Sequence, residues 1–598
     1  MGADSKEQDV CGICGEVNRD GSVRVNVLAE MADPLTPRGP DGFGVFAQGG
    51  IGLAHRRLSI LDLKATSQQP MVDAQLGLAI AFNGCIYNFR DLRQELTAKG
   101  YRFFSQGDTE VILKAYHAWG ADAVKRLQGM FAFAIWEMWT GRVVLARDRL
   151  GIKPLYLAQV GPSLRFASTL PALLAGGGVD TAIDPVGLHH YMSFHSVVPA
   201  PNTLFRGVRK LPPATVLTLE PDGRRHEHVY WSVRMGEGFD AAEMGEEEWR
   251  ETLTQALQTA VERRAVSDVP IGVLLPGGVD SSLLVALLAR LGHSDIRTFS
   301  VGFESVNGLK GDEFEYSDLI AQTYGTDHHR IVIPQERVLQ ALPDVIGAMS
   351  EPMMSHDCVG FYLLAQEVAQ HVKVVQSGQG ADETFAGYHW HEKMLTSADP
   401  VADYAALYFD RDHGEMAQAL SPDLMGADHS RTFVETFFAR CGETSPINKT
   451  LQIDTEIMLV DDPVKRVDNM TMAFGLETRV PFLDHEMVEL AARIPSELKV
   501  QSGGKHILKE AARRILPAEV VDRPKGYFPV PALKYIRGPY LDFARDVLNQ
   551  EAARTRGIFR RDYVDRLLAD PEGNLTAKGH SKLWQVTVLE HWLQTHAA

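Results

Sequence analysis

Between residue 11 and about residue 231, apolar positions alternate with polar ones or run in short blocks, broken by glycine, asparagine and proline. IGLAHRRLSILDL, LGLAIAFNGCIYN, MFAFAIWEMWTGRVVLARD and PLYLAQVGPSLRFAS have this texture. It predicts strands joined by turns, with a hairpin at Thr140-Gly141. Apolar spacing of three and four residues in DLRQELTAKG and DTEVILKAYHAWG predicts intervening helices. The first part of the chain therefore reads as layered α+β. The pattern breaks at residues 232–248, SVRMGEGFDAAEMGEEE, an acidic, glycine-bearing linker that runs into a helix at Trp249. Beyond it the order becomes strand, glycine turn, helix. IGVLLPGGVDSSLLVALLARLG followed by RTFSVGF is a β-loop-α-β unit, which predicts a parallel sheet, and KVVQSGQGADE repeats the strand and turn. Helical spacing dominates after residue 400, without internal repeats or low-complexity tracts.

Composition narrows this picture. A chain of 598 residues with 45% hydrophobic and 23% charged content is ordinary globular protein of two to four domains. A formal charge of −17 repels phosphate backbones and argues against a nucleic-acid partner. Five cysteines (Cys11, Cys14, Cys85, Cys358 and Cys441) are too few and odd in number for a disulfide framework. With no signal-type or membrane-length apolar run, the sequence predicts a cytoplasmic protein without a membrane partner.

Candidate chemistry concentrates in two glycine turns. In LLPGGVDSS an apolar strand ends at Leu275 and a helix begins near Ser281. Gly277 and Gly278 allow a tight turn, and the helix N-terminus with Ser281 and Ser282 offers an anion site suited to phosphate. Asp280 adds a carboxylate suited to Mg²⁺. No GxxxxGK[ST] is present, so this is not a Walker loop. It is similar instead to the SGGxDSS loop of ATP pyrophosphatases, with Pro276 in place of the first serine, which removes an N–H and a hydroxyl. The second turn, SGQGADE, holds Gly378 and Gln379 and supplies Asp382 as a second metal carboxylate. In GGKHILKEA, Lys505 starts a helical pattern from which it would reach a polyphosphate.

These turns join a second set of motifs: CGI at residue 11, RGPDG (38–42), HRRLSILD (55–62), FNG (82–84), LQGMFAFAIW (127–136), RDRLGIKPLY (147–156) and VPAPNTLFRGVRKLPPA (198–214). In this order they resemble the asparagine synthetase B-type family of glutamine-dependent amidotransferases, from Cys11 to past residue 530. SFHSVVPAP, FNGCIYN, FASTLPALL, QSGQGADE and RPKGYFPVPALKY look like the branch that amidates N-acetylglutaminylglutamine to an osmolyte.

The resemblance implies a glutaminase domain over 11–231, an N-terminal-nucleophile (Ntn) hydrolase sandwich of two antiparallel sheets between helices. It implies an α/β adenine-nucleotide α-hydrolase-like (ATP pyrophosphatase) domain over 249–598. It makes Cys11 the glutaminase nucleophile, Asn83 and Gly84 its oxyanion hole, and Arg57 and Asp108 the partners of the glutamine carboxylate and ammonium. Gly277, Gly278, Ser281, Ser282, Val301, Gly378, Gln379 and Lys505 would contact ATP, and Asp280 and Asp382 would hold Mg²⁺. The implied partners are glutamine, ATP and a carboxylate acceptor, either N-acetylglutaminylglutamine or aspartate, and the assembly considered is a homodimer. Ammonia would cross between the sites inside the protein. Family members carry Glu where this chain has Cys85 and Gln379, which alters glutamine recognition and leaves the base that deprotonates ammonia unassigned; Glu383 and Glu351 are the candidates.

The position of Cys11 is a chemical problem. In this enzyme type the base is the nucleophile's own α-amine, which titrates at about 7.7–8.0, near a thiol at about 8.5. A peptide nitrogen lacks that basicity, so residues 1–10 are read as a propeptide, a mis-assigned start with initiation at Val10, or the mark of a dead glutaminase. Other readings are blander. Cys14 is a small buried residue, Asp108 a helix N-cap, His328-His329 structural, and Glu477 with Arg479 an ion pair or an acceptor contact. Rival functions are plain asparagine synthetase, an RNA-directed pyrophosphatase-loop enzyme, and a non-catalytic ligand sensor.

Overall fold

A computed structural model describes residues 11–236, 244–305, 311–524, 526, 530, 533 and 536–597. The leading ten residues, part of the predicted linker and much of RPKGYFPVPALKY lie outside the described residues. The alternating segments form two six-stranded sheets, antiparallel throughout. One runs Val208–Lys210, Tyr156–Val160, Ser163–Ala167, Gly12–Asn18, Ile51–Arg57, Gly42–Gln48. The other runs Arg225–Val229, Thr215–Leu219, Val143–Arg147, Gly129–Glu137, Leu78–Ile86, Met71–Asp73. Their facing side chains, among them Ile13, Leu53, Ala81, Ala132, Leu145 and Phe166, make one buried layer. The period-two pattern aims these residues inward, and burying such a face stabilises by about 25 cal/mol per Å² of apolar area. Helices Val25–Ala32 and Leu170–Ala175 cover the first sheet, and Phe89–Ala98 and Thr109–Trp119 the second. The predicted hairpin at Thr140-Gly141 joins Gly129–Glu137 to Val143–Arg147.

The second half is built on a parallel five-stranded sheet in the order Asp327–Ile333, Arg297–Phe303, Ile271–Leu274, Val374–Gln376, Glu477–Arg479. Chain order reverses at Ile271–Leu274, so the crevice beyond its carboxyl end is a topological switch point, where open α/β sheets bind ligands. Buried helices flank the sheet, and Glu246–Arg263 opens this half three residues before Trp249. A longer helical array ends in the largely buried Lys582–His596, which packs against Gln335–Gly347 and Pro539–Asn549. No helix among the described residues is long and apolar enough to cross a membrane.

Candidate active sites

The first site sits at one end of the two-sheet sandwich. Cys11 precedes the strand Gly12–Asn18, and its Sγ accepts the Leu58 N–H at 3.1 Å. Burial pushes this thiol up to about 12. Arg57 closes the neighbouring strand, and its guanidinium donates to the carbonyls of Asp62 at 2.6 Å and Lys64 at 3.3 Å. Asn83 and Gly84 lie on Leu78–Ile86. Asn83 is buried, with its Nδ2 3.5 Å from Ser168 Oγ and its Oδ1 without a hydrogen-bond partner. Gly84 has φ +148°, and a Cβ there would meet the Met130 carbonyl oxygen at 2.0 Å. Only glycine keeps this close strand contact.

Asp108 stands at the N-cap position of Thr109–Trp119, yet its side chain makes no capping bond. The N-cap reading is therefore corrected: Oδ2 accepts the Ile86 N–H at 2.9 Å, which turns the carboxylate across the pocket. Burial, reinforced by Glu477, raises it to about 6. Cys11, Arg57, Gly84, Cys85 and Asp108 share one cavity, and two residues of the second half, Glu477 and Arg479, complete its wall. These two form the expected ion pair, at 2.9 Å, and Arg479 also reaches Cys85 Sγ at 3.7 Å. Sequence reasoning missed their place in this wall, because a distance of almost 400 positions leaves no local signal. Cys14 is a core residue, and all five cysteines are free thiols.

The second site fills the switch-point crevice, a cleft lined by residues of both glycine turns. The strand ends at Leu274 and the helix Val279–Arg290 starts at Val279, one and two residues earlier than the pattern predicts. Gly277, with φ +93°, makes the turn and Gly278 the N-cap. Ser282 Oγ is buried without a hydrogen-bond partner beside this N-terminus, and Ser281 Oγ donates to the Gly278 carbonyl at 3.1 Å. The second glycine turn follows Val374–Gln376. A Cβ on Gly378 would sit 2.9 Å from Asp280 Cβ and 3.1 Å from Ser281 N, so the two turns touch. Gly278, Asp280, Ser281, Val301, Gln379 and Asp382 all line the cleft, as does Pro276. Gly277 lies at its edge, bonded through its carbonyl to the Arg523 guanidinium at 2.8 Å.

Lys505 is not the solvated residue its type suggests. It is buried at φ +57°, with Nζ 2.6 Å from Asp280 and 3.0 Å from Asp382. Burial disfavours its charge, but the two carboxylates outweigh that and raise its pKa. The pair of carboxylates is a hard-oxygen donor set of the kind Mg²⁺ takes, and the lysine now between them is the cation such a metal would displace toward a phosphate. Asp280 and Asp382 are thus the residues that would hold such an ion.

The two candidate bases separate. Glu351 lies in a buried cluster, 3.1 Å from Lys210, 3.3 Å from Lys465 and 3.1 Å from Tyr156 Oη. It is held by two ammonium groups and does not line the cleft, which leaves Glu383 as the candidate nearer the second glycine turn. Glu383 follows Asp382, is buried, and accepts from Tyr388 Oη at 2.6 Å. Burial and then the Asp382 charge push it up to about 7, the range of a working general base. The histidines at 328 and 329 are structural, as expected: His328 bonds Thr298 Oγ1 at 2.8 Å and His329 stacks on Phe299.

One strand touches both centres. The side chains of Glu477 and Arg479 wall the cysteine pocket, while the Arg479 carbonyl accepts the N–H of Ser377, which lines the nucleotide cleft. A cysteine pocket on a two-sheet sandwich, joined this way to a phosphate-type cleft, defines an ATP-dependent, glutamine-hydrolysing amidotransferase. Family models agree: residues 10–231 match the glutamine amidotransferase domain and residues 252–594 match asparagine synthase. Asparagine synthetase [glutamine-hydrolyzing] 1 of Bacillus subtilis is 31% identical over 98% of this chain and 96% of that relative. A putative asparagine synthetase [glutamine-hydrolyzing] of Mycobacterium tuberculosis is 32% identical over 90% of this chain and 89% of its own length. Among solved structures, glutamine phosphoribosylpyrophosphate amidotransferase of B. subtilis overlaps 55% of this chain and 92% of its own, at 14% identity and a TM-score of 0.30, too loosely to carry an argument. The chain belongs to the asparagine synthase family.

Proposed function

We propose that this chain converts the terminal carboxylate of N-acetylglutaminylglutamine to a carboxamide, using ATP, Mg²⁺ and ammonia from glutamine. Cys11 attacks glutamine, with Arg57 and Asp108 holding its carboxylate and ammonium, and with Asn83 and the Gly84 N–H on the oxyanion. In the second domain the acceptor carboxylate attacks the α-phosphate of ATP, releasing pyrophosphate. Gly277, Gly278, Ser281, Ser282 and Lys505 hold the phosphates, and the Val301 backbone the adenine. Ammonia displaces AMP from the acyl-adenylate, and Glu383 accepts its proton. A thiol at about 12 stays protonated at neutral pH, so the glutaminase needs the free α-amine of Cys11. Amino-terminal sequencing of active protein made from the native gene tests this: turnover of glutamine with residues 1–10 still attached overturns it.

The observation that carries the acceptor is the wall beside Asp357 and Gly387, both of which line the cleft. There Lys578 Nζ, His356 Nε2 and His580 Nδ1 are buried without hydrogen-bond partners. Lys578 lies over the Tyr408 ring at 3.5 Å, and Tyr388 and Trp390 stack alongside. The polar atoms left over are a cation and two imidazole nitrogens. They suit an N-acylated, amide-rich anion, which has no ammonium to pair. Asp357 in the same wall offers a carboxylate to the ammonium of aspartate, so asparagine synthesis is the second reading, favoured also by the names of the relatives. The test offers each acceptor in turn with ATP, Mg²⁺ and glutamine and weighs the product. Amidation of the dipeptide is expected; asparagine alone, or neither product, overturns the proposal.

A further inference from the structure

His189 lies on the buried helix Pro185–Ser193, within the glutaminase match. Facing it from the other half are His413, the first residue of His413–Ala419, and Asp428, the N-cap of His429–Arg440. His189 Nε2 is 3.3 Å from His413 Nδ1 and 3.8 Å from Asp428 Oδ1, and one donor atom from each residue falls within a 4.8 Å span. Tetrahedral zinc with bonds of about 2.0–2.2 Å separates its ligand atoms by about 3.3 Å. The imidazole pair already stands at that spacing, and a small carboxylate movement closes the third edge.

The surroundings suit ligation. Ser430 Oγ lies 3.0 Å from His189 Nδ1, so the ring can donate there and turn the Nε2 lone pair toward His413 and Asp428. The rings of His189 and His413 are tilted by 34°, not stacked, and His429 meets His189 edge-on with centroids 5.6 Å apart. Asp428 uses Oδ1 to cap the Arg431 N–H at 3.1 Å, and a carboxylate oxygen has lone pairs for a metal besides.

We infer that His189, His413 and Asp428 form a zinc site that staples the glutaminase domain to the synthetase domain. Two imidazoles and one carboxylate are ligands zinc takes readily, and a fourth position is left for water or His429. Both active-site pockets lie on other elements, so the site is structural and its loss leaves their chemistry intact.

The experiment uses the whole untagged chain, grown with added zinc, gel-filtered and assayed for metal by plasma mass spectrometry. About one zinc per chain is expected. Cobalt(II) substituted into the stripped protein should show the visible bands of a tetrahedral site. His413→Ala and Asp428→Asn should each weaken zinc binding at least tenfold in a chelator competition; the asparagine keeps an oxygen for the helix cap, which guards against simple misfolding. Chelator should lower the melting temperature of the wild type and leave that of His413→Ala unmoved. Less than a tenth of an equivalent in the wild type, with added zinc chloride failing to bind, overturns the site. So does zinc that persists unchanged in both variants.

Discussion

Asn83 and Glu383 carry the most direct tests of the two half-reactions. Asn83 is sealed in the sandwich, and its donor atom Nδ2 makes only a long contact, 3.5 Å to Ser168 Oγ, which leaves that N–H₂ available to an oxyanion. Removing one oxyanion donor costs roughly 10²–10³ in turnover. Asn83→Ala should therefore lose glutamine hydrolysis by about that factor, while amidation driven by free ammonia persists. Equal loss of both activities would sink the assignment. Glu383 must be deprotonated to accept a proton, and its carboxyl is raised to about 7. At constant free ammonia the synthetase rate should rise with pH through about 7 and level off above it. Glu383→Gln should remove that limb and lower kcat more than it changes KM for ATP.

At the scale of elements, the two glycine turns and the strand Glu477–Arg479 decide what the cleft can do. Gly378 lets one turn lie against the other, and an added methyl must push Asp280 and Ser281 away. Overpacking of this kind costs about 1–3 kcal/mol. Gly378→Ala should raise KM for ATP by roughly tenfold and leave glutamine hydrolysis unchanged; steady-state kinetics of both reactions check it. Arg479 is wholly buried and donates to the carbonyls of Arg264 at 2.9 Å and Val266 at 2.6 Å as well as to Glu477. That planar fork has no lysine equivalent. Arg479→Lys should uncouple the centres, so that more glutamate than amide is formed, whereas equal yields would count against a linking role for this strand.

Across the whole molecule, buried ion pairs span the seam between the halves. Asp468 holds Arg38 at 2.9 Å and Lys153 at 3.3 Å. Lys210 holds Glu351 at 3.1 Å and Asp461 at 2.7 Å, with Lys465 closing the group. Arg38, Lys153 and Lys210 come from the glutaminase half, and their partners from the synthetase half. Removing one member of a buried pair strands the other, at a cost of about 3–5 kcal/mol. Lys210→Met should lower stability on that scale in a urea melt, with little relief from added salt, because screening acts weakly on buried charges. Stability unchanged to within experimental error would show that the seam does not depend on this cluster.

Local chemistry was legible without coordinates. Period-two alternation around FNGCI, the glycine pairs of LLPGGVDSS and SGQGADE, and the helical spacing of TEVILKAY each follow from neighbours along the chain, because strand pleat, tight turn and helix are short-range geometries. Contacts between residues hundreds of positions apart have no such imprint. Only the folded chain turns the Asp108 side chain away from its helix cap, seats Lys505 between two aspartates and brings Glu477 and Arg479 to the cysteine pocket. It also separates Glu383 from Glu351 by surrounding one with a second acid and the other with two lysines. Those outcomes depend on burial and on which charges meet, and the physical reason is that solvation and Coulomb energies are set by distance in space, not by distance in sequence.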